Sequence, residues 1–166
     1  MSTLASVLVL LLAIGLLSVR RTDAAAGVCV GQGICAAVAL ATTGSMAALI
    51  VLAFNGLLAP LASWRILGHT KALRVDPLQW LLAVALLIVS LAGFSRLGDN
   101  VALGAAVVLL GLLMSGRGAP AIGLLSAQNG LVLVASAVPD MPLLLALTIA
   151  VPLVPAMLIA EAWLRR

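Results

Sequence analysis

Charge is what this sequence has least of. Only 8% of its 166 residues are Asp, Glu, Lys or Arg, against about 25% in a soluble domain, which excludes an ordinary water-facing surface. Tyrosine is missing and aromatics total 3%. With no basic cluster and no aromatic platform, nucleic acid is not an expected partner. Histidine occurs once, as His69, so a haem held by two histidines is excluded and no histidine-based metal site is expected. The two cysteines, Cys29 and Cys35, are six residues apart, about 240° around a helix, and cannot pair within one straight segment. They read as small apolar fillers. No glycine-rich phosphate loop or nucleophile motif is present, so no catalytic residue, metal or cofactor is expected of this chain alone.

What the chain has is hydrocarbon. Its mean hydropathy is +1.31 and 64% of its residues are hydrophobic, more apolar surface than a soluble core can use. The expected fold is therefore an all-α, polytopic bundle whose immediate solvent is the lipid bilayer. A bilayer core takes about 20 mostly apolar residues per helix, and seven segments can be cut: 2–19, 24–43, 45–66, 78–95, 99–115, 120–138 and 141–163. The boundaries are VRRTD, TTGS, RILGHTKALRVDP, FSRLGD, SGRGAP and VPDMP. All fourteen formal charges (nine basic plus five acidic) fall in or near a boundary or at the chain's end. Short connections make tight hairpins of the second and third segments and of the sixth and seventh. Pro60, Pro152 and Pro155 interrupt helical hydrogen bonding in the third and seventh.

Orientation follows from Lys and Arg. With the N-terminus outside, the inner face receives Arg20, Arg21, Arg65, Lys71, Arg74, Arg117, Arg165 and Arg166, and the outer face only Arg96. Eight against one places the C-terminus in the cytoplasm and supports an odd number of spans. The first segment resembles a signal peptide only superficially, because its basic residues follow the apolar run; it is expected to stay attached as a helix.

Sliding the chain against itself by 96 residues gives ten identities over the 27 positions from 15 to 41, Arg21 with Arg117 and Gln32 with Gln128 among them. This composition would give about three by chance. The expected organisation within a single membrane domain, 1–166, is a three-span repeat at 2–66, a connector at 78–95 and a second repeat at 99–163. Corresponding helices are offset by four spans, an even number, so the repeats run parallel.

The polar residues inside these segments fall at one depth. Gln32, Asn55, Gln128 and Asn129 lie near the centres of the second, third and sixth spans, and Thr148 is comparably placed in the seventh. Two readings stay open. The amides bond to neighbouring helices, as polar groups in hydrocarbon must, or with bound water they mark a polar path through the membrane. An amide orients water but neither takes up nor releases a proton. Gly27, Gly31, Cys35, Ala39 and Thr43 recur every four residues, a ridge of small side chains expected to admit another helix backbone closely.

The segments VRRTDAAAGVCVGQGICAAVALA, AFNGLLAPLASWRI and GLLSAQNGLVLVAS, with the LRR ending, resemble component E of the group 4 membrane-bound hydrogenases, the hydrogenase-4 and formate hydrogenlyase type. That component is related to the three-span small subunit of respiratory complex I and to the C subunit of multisubunit cation/proton antiporters. The resemblance covers most of the chain, thinly in the fourth and fifth spans. It implies a cell inner-membrane subunit beside large antiporter-like subunits of a hetero-oligomeric complex, helping to form a lateral axis for proton translocation. The sequence departs from that pattern where charge would sit. The family's Glu-Asn-Gly is here Gln128-Asn129-Gly130, its third-span lysine corresponds to Asn55, and an acid in the last span corresponds to Ala150. The scaffold role carries over; the relay role loses its ionisable groups. From a different class, a free-standing small-solute carrier or exporter also fits a parallel repeat with paired polar centres.

Overall fold

The computed structural model describes residues 2–41, 45–61, 76–115 and 120–137. Within them the chain is all-α, with no strand. We label the helices α1 (Ser2–Ser18), α2 (Thr22–Leu40), α3 (Ser45–Val51, continued by a π-helical run, Leu52–Leu58), α4 (Pro77–Phe94, ending in a 3-10 turn, Ser95–Leu97), α5 (Asp99–Ser115) and α6 (Pro120–Ala137). They overlap the first six segments cut from the sequence. Thr22–Leu40, Pro77–Leu97 and Pro120–Ala137 are long and apolar enough to cross a membrane, while Thr3–Ser18, Ala48–Leu61 and Asp99–Ser115 are apolar but shorter. The seventh segment with Thr148, Ala150, Pro152 and Pro155, the loop carrying His69, and Thr43 lie outside the described residues.

Local chemistry sets the helix starts. Asp76 stands before α4 in extended conformation and its carboxylate accepts from the Leu78 N–H at 2.9 Å, with Pro77 at the first helical position. This capping satisfies a donor that the helix leaves orphaned, and proline gives up no hydrogen bond there. Between α4 and α5 the chain turns at Gly98, whose φ of +116° only glycine adopts without strain. The Gly98 carbonyl then accepts from Ala102 N–H at 3.1 Å and opens α5. At the start of α2, Arg21 and Asp23 form an exposed two-pronged ion pair at 2.9 and 3.1 Å.

The direction of each pairing is readable from its contacts. In the α1–α2 pair Val9 meets Gln32 and Leu12 meets Gly31, so the helices are antiparallel. In the α5–α6 pair Gly104 meets Gly130 and Gly111 meets Gly123, again antiparallel. Across the centre, Cys29 reaches Ile122 and Gln32 reaches Ser126, a step of three on α2 matched by four on α6. Those two helices run parallel.

The α5–α6 seam is the tightest. A Cβ on Gly104 would lie 2.7 Å from the Gly130 carbonyl oxygen, one on Gly130 2.6 Å from that of Gly104, one on Gly111 2.6 Å from that of Gly123, and one on Gly123 2.5 Å from that of Gly111. Side chains there would hold the backbones apart. Around the seam Leu110, Met114, Ile122, Leu125 and Leu133 are almost wholly buried.

The expected ridge on α2 fares differently. Gly27 is exposed and a Cβ there would meet nothing within 4 Å; Gly31 would meet only the Leu12 side chain, at 3.4 Å. Cys35 is half-buried and Ala39 is buried. Close backbone approach on α2 is made instead by Gly33, where a Cβ would lie 2.5 Å from both the Asn55 carbonyl oxygen and the Gly56 nitrogen. The interruption expected near Pro60 takes the form of the π run just before it. Proline has no N–H to close a helical turn, and the Ala59 N–H accordingly donates five residues back, to Phe54.

Helix α4 packs along α5, and its Trp80, Ala83 and Leu87 line a cavity together with Ile14 and Leu17 of α1 and Leu110 of α5. Only Ala83 and Ser90 on it are buried. Leu81, Ile88 and Val89 are 70, 62 and 63% exposed, a face of hydrocarbon that water would not tolerate at this density.

Candidate functional site

The four amides picked out from the sequence all belong to one buried region where α2, the π run of α3, and α6 meet. Gln32 and Asn129 are 0% exposed, Asn55 2% and Gln128 5%. Two hydrogen-bonded groups make up the region. In the first, the Gln32 side-chain amide donates to the Val9 carbonyl of α1 at 3.3 Å and to Ser126 Oγ of α6 at 3.1 Å. In the second, Asn55 is clamped: Gln128 Nε2 donates to Asn55 Oδ1 at 3.0 Å, and Asn55 Nδ2 donates to Asn129 Oδ1 at 3.1 Å.

Neighbours in a helix point about 100° apart, so Gln128 and Asn129 can share one partner only because the longer glutamine arm reaches round to it. The π run places that partner. Its wide turns are rare and recur at functional positions, and here they press the Asn55–Gly56 backbone onto Gly33 while the Asn55 side chain enters the gap toward α6.

Three polar atoms in the region are buried without a partner: Gln32 Oε1, Gln128 Oε1 and Asn129 Nδ2. Each such atom costs about 1–3 kcal/mol when left unpaired. Among the described residues no buried charge is present to compensate: the charged side chains are Arg20, Arg21, Asp23, Asp76, Arg96 and Asp99, and none is buried. Cys29, also buried, approaches the Ile122 carbonyl at 3.9 Å through Sγ. No group of His, Cys, Asp and Glu among the described residues could hold a metal ion. The arrangement can orient dipoles and hydrogen-bond a neutral guest.

A groove of about 200 Å³ opens elsewhere, between the first half of α2 and Pro60–Leu61, lined by Asp23, Ala26, Gly27 and Val30. Its one charged wall residue, Asp23, is already paired with Arg21.

Ser126 and Gly33 belong to this region although composition and spacing did not single them out. For Ser126 the signal was present: it lies three residues before Asn129, on the same helix face. For Gly33 it was not, because nothing in the sequence announces a π turn. No family model, curated protein or solved structure matches the chain.

Proposed function

We propose that this chain is a non-catalytic, multi-pass subunit of a complex I-like or group 4 hydrogenase-like assembly in the cell inner membrane, where it scaffolds large antiporter-like subunits. The finer architecture belongs to the same proposal: seven spans, N-terminus outside and C-terminus cytoplasmic, with parallel three-helix repeats joined by α4. Support for the repeat comes from α2 and α6, which run parallel and bring Gln32 within two residues of the level of Gln128 by way of Ser126. Support for a partner comes from the apolar, mostly exposed flank of α4.

One observation carries the scaffold role over the relay role. Among the described residues the side chains bonded in the buried polar region are amides and a hydroxyl, groups that bind and align but do not exchange protons at ordinary pH. Its bonds tie four helices together, α1, α2, α3 and α6. The test is affinity purification from native membranes followed by proton uptake in vesicles, normalised to assembled complex. A large antiporter-like subunit is expected to co-purify, and Gln128→Ala is expected to lower the amount of assembled complex without lowering uptake per complex. Selective loss of uptake with assembly intact would make the amides part of the proton path. Recovery as a stable monomer that moves a solute in liposomes would favour the carrier reading.

A further inference from the structure

We propose that the amide region is a binding site for trapped water, and that this water joins its two hydrogen-bonded groups into one network. The argument rests on donor and acceptor counting at the site and does not depend on the partner proposed above.

The unpaired atoms are two acceptors, Gln32 Oε1 and Gln128 Oε1, and one donor, Asn129 Nδ2. A water molecule donates twice and accepts, and buried waters typically make about three hydrogen bonds. The orientation of the amides does not alter the count. Gln32 is fixed, because its Nε2 faces a carbonyl, that of Val9, and an oxygen there would meet another oxygen. The chain Gln128–Asn55–Asn129 can run in the reverse sense if all three amides turn over. Gln128 Nε2 then becomes the orphan donor and Asn129 Oδ1 the orphan acceptor. Two acceptors and one donor remain.

The same count argues against a metal cation. Amide oxygens would ligate one, but the amide N–H₂ among the orphans would face its charge; water satisfies both kinds of group. Position connects the orphans as well. Gln32 bonds Ser126, and Ser126 is one helical turn from Asn129 on the same face of α6, so the two groups are neighbours along that helix. Fully buried Ile122, Leu125 and Leu133 on α6 accompany the site, which keeps the guest from exchanging freely with bulk solvent.

The experiment uses the full chain in lipid bilayers, within whatever complex it purifies, labelled with ¹⁵N at Asn and Gln side chains. Water-edited solid-state NMR is expected to show magnetisation passing from water to the Asn129 and Gln128 side-chain amides, assigned by their loss in Asn129→Ala and Gln128→Met. A dry site, with no transfer to either amide in the unsubstituted chain, overturns the proposal. A second arm is a double-mutant cycle of Gln32→Met and Gln128→Met by thermal unfolding. These residues do not bond each other, so without a bridging water their effects add. With it, each single change is expected to lower Tm by about 3 °C, and the pair by clearly less than the sum. Additive losses overturn the proposal; if the variants do not accumulate, the measurement on the unsubstituted chain decides it.

Discussion

At the scale of single residues, Asn55 is the side chain on which most depends. Both ends of its amide are engaged, one by Gln128 and one by Asn129. Asn55→Leu keeps the branching and the number of side-chain heavy atoms and leaves both partners unpaired in a buried setting, so we expect a loss of about 2–4 kcal/mol, measured as thermal stability or as accumulation in the membrane. A change within a few tenths of a kcal/mol would mean that the clamp contributes nothing. The amides bond to neighbouring helices and also retain unpaired atoms. All four were legible from the sequence because a polar side chain within an apolar run stands out. Their partners were less so. Val9 contributes only a backbone carbonyl, which every residue has.

At the scale of helices, the glycines separate close approach from mere abundance. Gly33→Ala puts a methyl against the Asn55 carbonyl and the Gly56 nitrogen, both backbone atoms that cannot swing aside, and is expected to cost about 1–3 kcal/mol. Gly27→Ala meets nothing within 4 Å and is expected to be neutral or stabilising by up to about 1 kcal/mol through helix propensity. The two variants, compared by thermal unfolding in one detergent or bilayer, test the packing directly; equal losses would contradict it. Gly123→Ala should resemble Gly33→Ala, since its methyl would strike Gly111 and Ser115 backbone. A four-residue repeat on α2 looked like the natural contact because such ridges admit helices closely. The actual seam pairs Gly104 with Gly130 and Gly111 with Gly123, a spacing of seven on each helix, which is the period of two helices that wrap antiparallel with a slight crossing angle.

At the scale of the whole molecule, the six described helices lie where hydropathy and charge boundaries put them, because in an apolar chain punctuation is carried by the few residues that are not apolar. Asp76-Pro77 and Gly98-Asp99 are both boundary residues and both helix starts. Which face each helix buries was not legible. Helices this uniformly apolar carry no stripe to read, and only contacts between them distinguish outward-facing from core-facing leucine. The proposed orientation is open to a simple test. A reporter fused after Arg166 is expected to behave as cytoplasmic, and one inserted near Leu97 as external; an external C-terminus would defeat the seven-span arrangement.

The π run over Leu52–Leu58 also changes how the chain should be counted. A π turn holds more residues than an α turn, so a helix that contains one falls out of step with an unbulged copy by a residue. Gln32 and Gln128 are 96 positions apart, 128 minus 32, whereas Pro60 and Pro155 are 95 apart, 155 minus 60. At the 96-residue offset ten identities fall between 15 and 41, upstream of the run, and only Leu49 with Leu145 and Leu57 with Leu153 follow. Under the proposed repeat, an alignment that permits a single gap between 52 and 58 brings the two prolines into register.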